Sequence, residues 1–213
     1  MNKNTHHKAI ETIYSGFRFR SRLEARWAVF FETLGIEYRY EPEGFELEGG
    51  IRYLPDFYLP KLKVWVEIKP GIPTPEEREK AIQLCISTRN VVALFSGDVW
   101  SDVKVFTFSP LVHEGSNAST DIDDIKEIFA GSHICWISTD ECIIADGDNF
   151  MCGIDYRRGF CWATSQWAQC AICNSISIIG IGVGLFCSCP NADLETGTSD
   201  LREAYEAARQ ARF

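Results

Sequence analysis

Tyr53-Leu54-Pro55-Asp56-Phe57-Tyr58-Leu59-Pro60-Lys61-Leu62-Lys63-Val64-Trp65-Val66-Glu67-Ile68-Lys69-Pro70 is the stretch on which the reading of the 213-residue chain turns. From Val64 to Lys69 the pattern has period two, with Val64, Val66 and Ile68 on one face of a strand and Trp65, Glu67 and Lys69 on the other. Glu67 and Lys69 therefore point the same way. Upstream, Tyr53 to Leu59 is a second aromatic and apolar run, marked by Pro55 and Pro60, with Asp56 inside it. Joined through Pro60-Lys61-Leu62-Lys63, the two runs are predicted to pair as a hairpin that brings Asp56 beside Glu67. Two carboxylates converging on one point repel unless a cation lies between them, and oxygen ligands of this kind suit magnesium or manganese. An ammonium one pleat further along orients or deprotonates a water, or offsets negative charge developing around phosphorus. The chemistry that suits this grouping is metal-assisted hydrolysis of a phosphodiester.

On either side of this stretch the signals are helical. Leu23, Trp27, Phe30, Phe31 and Leu34 recur at spacings of three and four, and Gly35 supplies a stop, so Ser21 to Leu34 is predicted to be a helix. Ser21 is its N-cap, and Glu24, three residues on, completes a capping-box pattern. Arg18, Arg20, Arg22 and Arg26 form the densest basic patch and flank the carboxylates, which makes them the expected contacts to a DNA backbone. Ile36 to Leu47 reads as a strand broken at Glu41-Pro42-Glu43-Gly44. Thr74 to Ser87 reads as a second helix, with Thr74 as cap, Pro75 at its first position and Glu76, Glu77 and Glu79 following. Gln83 lies on that helix, either exposed or near the site. Val91 to Phe95 and Val103 to Phe108 are short strands.

At Pro55-Asp56 and, after a gap of ten residues, Glu67-Ile68-Lys69, the chain resembles the PD-(D/E)xK nuclease superfamily. The order helix, strand, strand, strand, helix, strand over roughly the first 108 residues is that of its restriction-endonuclease-like core. The run Phe19 to Ala28 and the ending Ala204-Tyr205-Glu206-Ala207-Ala208-Arg209-Gln210-Ala211-Arg212-Phe213 are similar to phage and bacterial members. The resemblance implies an α/β fold with an αβββαβ core around a mixed central sheet. It also implies Mg2+ or Mn2+ held by Asp56, Glu67 and the Ile68 carbonyl, with Lys69 supporting the attacking water and Glu24 completing the acidic site. The function it implies is a magnesium-dependent DNA endonuclease. A structure-selective resolvase or a nickase would use the same residues. A non-catalytic module that binds nucleic acid or protein is the other alternative, and its binding would be insensitive to magnesium chelation. Cutting two strands commonly needs two active sites, so a homodimer is a further expectation.

With 46% hydrophobic and 13% aromatic residues the chain can bury a sizeable core. Its net charge of -9 argues against a nucleic-acid coat but not against a nuclease. Residues 1–70 hold eleven Lys and Arg against ten Asp and Glu, and the remainder ten against twenty, so a phosphate-facing surface is expected in the first third. No apolar run approaches the roughly 18–20 residues of a membrane span, and no apolar segment follows the first charges as in a secretory signal. No membrane partner and a cytoplasmic location are the expectation. Nine cysteines then read as metal ligands or free thiols rather than disulfides.

Cys170-x-x-Cys173 and Cys187-x-Cys189 have the make-up of a structural zinc site of the zinc-knuckle kind. Cys152 or Cys161 are alternative ligands, and Cys85, Cys135 and Cys142 are read as core residues. The expected organisation is a nuclease core over residues 1–110, then a linker helix (Asp121 to Phe129) and β-rich segment over 111–165. A cysteine zinc module follows over 166–213, ending in an amphipathic helix from Leu201 to Phe213. Asp146-Gly147-Asp148-Asn149 reads as a turn.

Overall fold

The computed structural model describes residues 9–100, 103–110, 133–137, 141–146, 150–155, 157–158, 160–179, 189 and 194–213. It begins with a hairpin that sequence reading leaves out: β1 (Thr12–Tyr14) and β2 (Phe17–Phe19) turn through Ser15 and Gly16, both at positive φ. That is the two-residue geometry whose twist matches the strands. Helix α1 (Arg22–Thr33) follows as expected, with the Ser21 hydroxyl accepting the Glu24 N–H at 3.1 Å and Gly35 beyond its end at φ 64°. Its apolar stripe, Trp27, Ala28, Phe30 and Phe31, is fully buried.

The middle of the chain is cut more finely than its apolar runs suggest. β3 (Arg39–Tyr40), β4 (Phe45–Leu47), a 3-10 turn (Glu48–Gly50), β5 (Ile51–Tyr53) and β6 (Phe57–Leu59) lead into β7 (Val64–Lys69). The run Tyr53 to Leu59 is thus divided, because Tyr53 ends β5 and β6 starts only at Phe57. Pro55, between them, has no N–H to give to a ladder. The expected strand from Ile36 to Leu47 also splits, β3 pairing with β6 and β4 pairing with β5 in a separate two-stranded ribbon. The hairpin of β6 and β7 is present, with Phe57 opposite Val66 and Leu59 opposite Val64. Helix α2 (Pro75–Thr88) starts on a complete capping box between Thr74 and Glu77 and ends at Arg89 in the left-handed region. β8 (Val91–Ser96) and β9 (Lys104–Pro110) come next.

The later strands are β10 (His133–Ile137), β11 (Glu141–Asp146), β12 (Phe150–Asp155), β13 (Phe160–Cys170), β14 (Ile176–Ile179) and β15 (Leu194–Glu195), before helix α3 (Ser199–Gln210). The main sheet runs β10-β11-β12-β13-β9-β8-β7-β6-β3, with β14 and β15 also paired to β13, eleven strands in all. β7 and β8 are parallel and the other neighbours antiparallel, so the fold is mixed α/β with three helices among the described residues. Helices α1 and α3 cover one face, with Val64, Val66 and Ile68 of β7 beneath them. Helix α2 and the β4–β5 ribbon cover the other, over Trp65.

The expected division at residue 165 falls inside β13. Phe160 to Ser165 of this strand pair with β9, and Gln166 to Gln169 with β14. Trp167 is buried against Phe30 (5.4 Å between ring centroids), Phe31 (6.1 Å) and Phe95 (5.9 Å), while Tyr205 of α3 lies 4.7 Å from Phe30. The strand and helix near the C-terminus therefore share the core of α1. Trp167→Ala is expected to cost about 3–5 kcal/mol and to lower Tm by on the order of 10 °C, which a thermal melt followed by circular dichroism would measure. The β-rich segment expected over 111–165 includes β12 and the first part of β13. Residues 111–120, the expected helix Asp121 to Phe129 and most of the expected turn at 146–149 lie outside the described residues, as do residues 180–188. Among the described residues no helix is long and apolar enough to cross a membrane.

Candidate active-site cleft and cysteine cluster

Continuing the β6–β7 register by one residue sets Asp56 across from Glu67. Asp56 Oδ2 accepts the Ile68 N–H at 2.7 Å, so its backbone neighbourhood is locked to β7. Glu67, at the buried end of β7, accepts from the Tyr53 hydroxyl at 3.1 Å through Oε2 and from Lys69 Nζ at 2.7 Å through Oε1. The Lys69 ammonium also reaches Glu77 Oε1 at 3.1 Å. Glu77 is itself fixed, since its Oε2 accepts the Thr74 N–H at 2.8 Å in the α2 cap. Lys69 is thus clamped between a strand carboxylate and a helix-terminal one.

The electrostatics follow from this crowding. Burial pushes the Asp56 carboxyl well above the usual carboxylate range, and the charges of Glu67 and Glu24 push it further; the Ile68 N–H and Lys69 only partly oppose them. Burial alone would depress the Lys69 ammonium, but Glu67 and Glu77 outweigh that and hold it above its ordinary value. Tyr53 is raised strongly by burial and by Glu67, so its hydroxyl stays a donor.

Glu24 takes the capping role. Its Oε1 accepts from Ser21 Oγ at 2.6 Å, and its Oε2 accepts from the Arg20 N–H at 3.1 Å and the Tyr40 hydroxyl at 2.7 Å. With three donors on one carboxylate, Glu24 acts on Asp56 through its charge.

The four arginines do not form one surface. Arg18 pairs with Glu11 at 3.5 Å and Arg26 with Asp98 at 3.3 Å, and Arg22 is exposed on α1. Arg20, paired with Glu41 at 2.7 Å, is the member of the quartet that lines the cleft beside Glu67 and Lys69. That cleft has a volume of about 300 Å³, and its walls include Arg52, Tyr53, Glu77 and Lys80. Arg52 and Lys80 are missed by the sequence reading. Arg52 stands in a β-ribbon that could not be foreseen, and the signal at Lys80 was only its spacing of three from Glu77 on one helix face. Gln83 has a different task, as its Oε1 accepts the Glu48 N–H at 3.1 Å and so ties α2 to the turn between β4 and β5.

At the far end of β13 the Sγ atoms of Cys170, Cys173 and Cys189 all lie within 4.8 Å of one another. Four thiolates about 2.3 Å from a tetrahedral zinc are roughly 3.8 Å apart, so the trio suits such an ion. Among the described residues no other trio of His, Cys, Asp or Glu donor atoms is gathered so closely, and the carboxylates around Asp56 are not. The turn that carries Cys170 and Cys173 is tied by two hydrogen bonds: the Cys170 carbonyl accepts the Asn174 N–H at 2.9 Å, and the Cys170 N–H donates to the Ser175 carbonyl at 3.0 Å. Asn174 adopts φ 60°, a left-handed conformation that Asn tolerates.

Cys187 lies outside the described residues. Cys161 cannot substitute for it, being on β13 itself nine residues from Cys170, a span of about 30 Å. Cys152 pairs with Ala163, which lies about 23 Å down the same strand from Cys170. Burial raises the Cys161 thiol to about 11 and the Cys85 thiol to about 12, as suits inert core residues. β13 runs in the same direction as β7 through the intervening β9 and β8, so the cysteine cluster and Lys69 sit at the same end of the sheet. Strand spacing and rise place them roughly 20 Å apart.

Comparison with protein-family models, with curated proteins and with solved structures gives no match.

Proposed function

We propose that the chain is a magnesium- or manganese-dependent DNA endonuclease of the PD-(D/E)xK kind, built on a restriction-endonuclease-like core. The observation that carries this reading is the convergence of Asp56 and Glu67 from neighbouring strands, with Lys69 Nζ 2.7 Å from Glu67 at a cleft that Arg20, Arg52 and Lys80 also line. Such crowding destabilises the fold unless a positive charge relieves it, and oxygen donors of this type suit a hard dication. Asp56, Glu67 and the Ile68 carbonyl are the groups that would hold the ion. When bound, the ion supplies Lewis-acid polarisation of a phosphoryl oxygen and acidifies a water. Lys69, kept cationic by Glu67 and Glu77, serves as a fixed positive charge beside the phosphate rather than as a base. Tyr53 holds Glu67 in orientation. Zinc at Cys170, Cys173 and Cys189 is structural in this reading, and Cys187 is the proposed fourth ligand.

The test is conversion of supercoiled plasmid in magnesium, manganese or chelator. Wild-type protein is expected to cut only with the dication. Lys69→Gln, which keeps a donor toward Glu67 but loses the charge, is expected to cut about 10²–10³-fold more slowly with an unchanged circular dichroism spectrum. Equal cutting by the two proteins would end the assignment. Nicked, single-stranded and junction substrates in the same assay separate a nickase or resolvase from an enzyme that breaks both strands.

A further inference from the structure

Two cations of the cleft have no task in the scheme above. Arg20 is taken by Glu41 at 2.7 Å, and Lys69 by Glu67 at 2.7 Å and Glu77 at 3.1 Å. The side chains of Arg52 and Lys80, by contrast, make no ion pair and no hydrogen bond among the described residues. Acids are not scarce, since the chain has 30 Asp and Glu for 21 Lys and Arg. Glu76 even stands four residues before Lys80 on α2, the spacing at which helix ion pairs form, and Lys80 does not take it. Two like charges converge on one cleft from separate elements, Arg52 from the β4–β5 ribbon and Lys80 from α2. They repel each other, and an anion between them would reverse that repulsion.

We infer that Arg52 and Lys80 form a phosphate-binding subsite beside Glu67 and Lys69, and that one strand of the nucleic acid lies along the cleft that the β4–β5 ribbon and the first turns of α2 line together. This rests on the nuclease reading for its neighbour, the scissile phosphate. At about 300 Å³ the cleft has the dimensions of a small-ligand pocket, which suits the backbone of one strand and not the width of a duplex. The guanidinium fork of Arg52 matches two phosphate oxygens, and Lys80 adds a mobile point charge. In a chain of net charge -9, these two cations without an ion pair among the described residues are where a polyanion would be held. Arg18 and Arg26, paired with Glu11 and Asp98, are not part of it.

The experiment measures binding apart from cutting. Labelled single-stranded and duplex oligonucleotides are titrated by fluorescence anisotropy, in chelator and in calcium, over a range of salt. Wild type is compared with Arg52→Ala, Lys80→Ala, the double variant and a charge-matched control, Lys61→Ala, in the exposed turn between β6 and β7. Each single variant is expected to flatten the dependence of log affinity on log salt by about one. The double variant is expected to flatten it by about two and to weaken binding at least about tenfold. Lys61→Ala is expected to behave as wild type. In cutting assays the double variant should raise KM and leave kcat nearly unchanged. Wild-type affinity and salt slope in the double variant overturn the inference, as does absence of any binding by wild type. Wild-type protein that binds DNA through these residues but cuts nothing with any dication leaves the subsite standing and removes the nuclease. Protein that cuts equally well without both residues does the reverse.

Discussion

Asp56→Asn is expected to lose at least about 10³-fold in cutting and, in metal-free buffer at neutral pH, to melt higher than the wild type. The two effects share one cause. The amide keeps an oxygen for the Ile68 N–H, now 2.7 Å from Asp56 Oδ2, so the hairpin retains its lock. What disappears is a half-buried negative charge close to those of Glu67 and Glu24.

The sign of the pH dependence is set by the raised native pKa of Asp56. The protonated carboxyl suits the fold and the ionised one does not. Stability from this group is therefore full below its ordinary value of about 3.9 and is lost as pH rises through the raised native value. Asn removes that loss, and each kcal/mol recovered is worth about 2–4 °C in a chain of this size. Magnesium or manganese should raise the melting temperature of the wild type and leave that of the variant where it was. A variant that melts lower in chelator, or still cuts, would show that Asp56 is an ordinary turn carboxylate.

Loss of the metal from the cysteine cluster is expected to be the largest single blow to stability. Protein purified without chelator should carry about one zinc per chain by elemental analysis. Cys173→Ser and Cys189→Ser should each reduce that sharply. The expected fall in melting temperature is on the order of 10–20 °C, reflecting several kcal/mol of metal binding linked to folding. The reach of the effect comes from β13. Cys170 ends the strand that three residues earlier carries Trp167 into the aromatic core, and β14 and β15 pair along that same end. Fraying there unseats α3, because the Gln169 amide donates to Asp200 in the first turn of α3 at 2.8 Å. A chain that contains no metal as isolated, and melts alike with and without a strong chelator, would leave three neighbouring thiols and no zinc site.

The continuity of β13 shows why part of the fold escapes a reading of the sequence. Thr164, Ser165 and Gln166 interrupt the apolar run and look like the edge of a linker. In the folded chain the Ser165 hydroxyl lies 2.8 Å from that of Thr107 on β9, and the pair satisfies itself inside the sheet. A polar residue is at home in a buried strand when its partner comes from 58 positions away, and no local pattern announces that partner. Glu24 is the opposite case. Its spacing from Ser21 states the capping role, and the tertiary addition is only the Tyr40 hydroxyl and the effect of its charge on Asp56. The C-terminal helix falls in between: it was expected over Leu201 to Phe213 and forms as Ser199–Gln210, shifted toward its Thr198 cap.

Caps, prolines and period-two alternation act between residues a few positions apart. For that reason α1, α2 and the β6–β7 hairpin that sets Asp56 across from Glu67 were legible from local patterns alone. Which charges neutralise one another was decided only by tertiary structure. Lys69 goes to Glu77, Arg20 to Glu41 and Arg26 to Asp98, while Arg52 and Lys80 are left facing the cleft. The physical reason is that a charge pair is governed by distance through space. The distances that matter here join a ribbon, a helix and a strand that come together only when the sheet has closed beneath them.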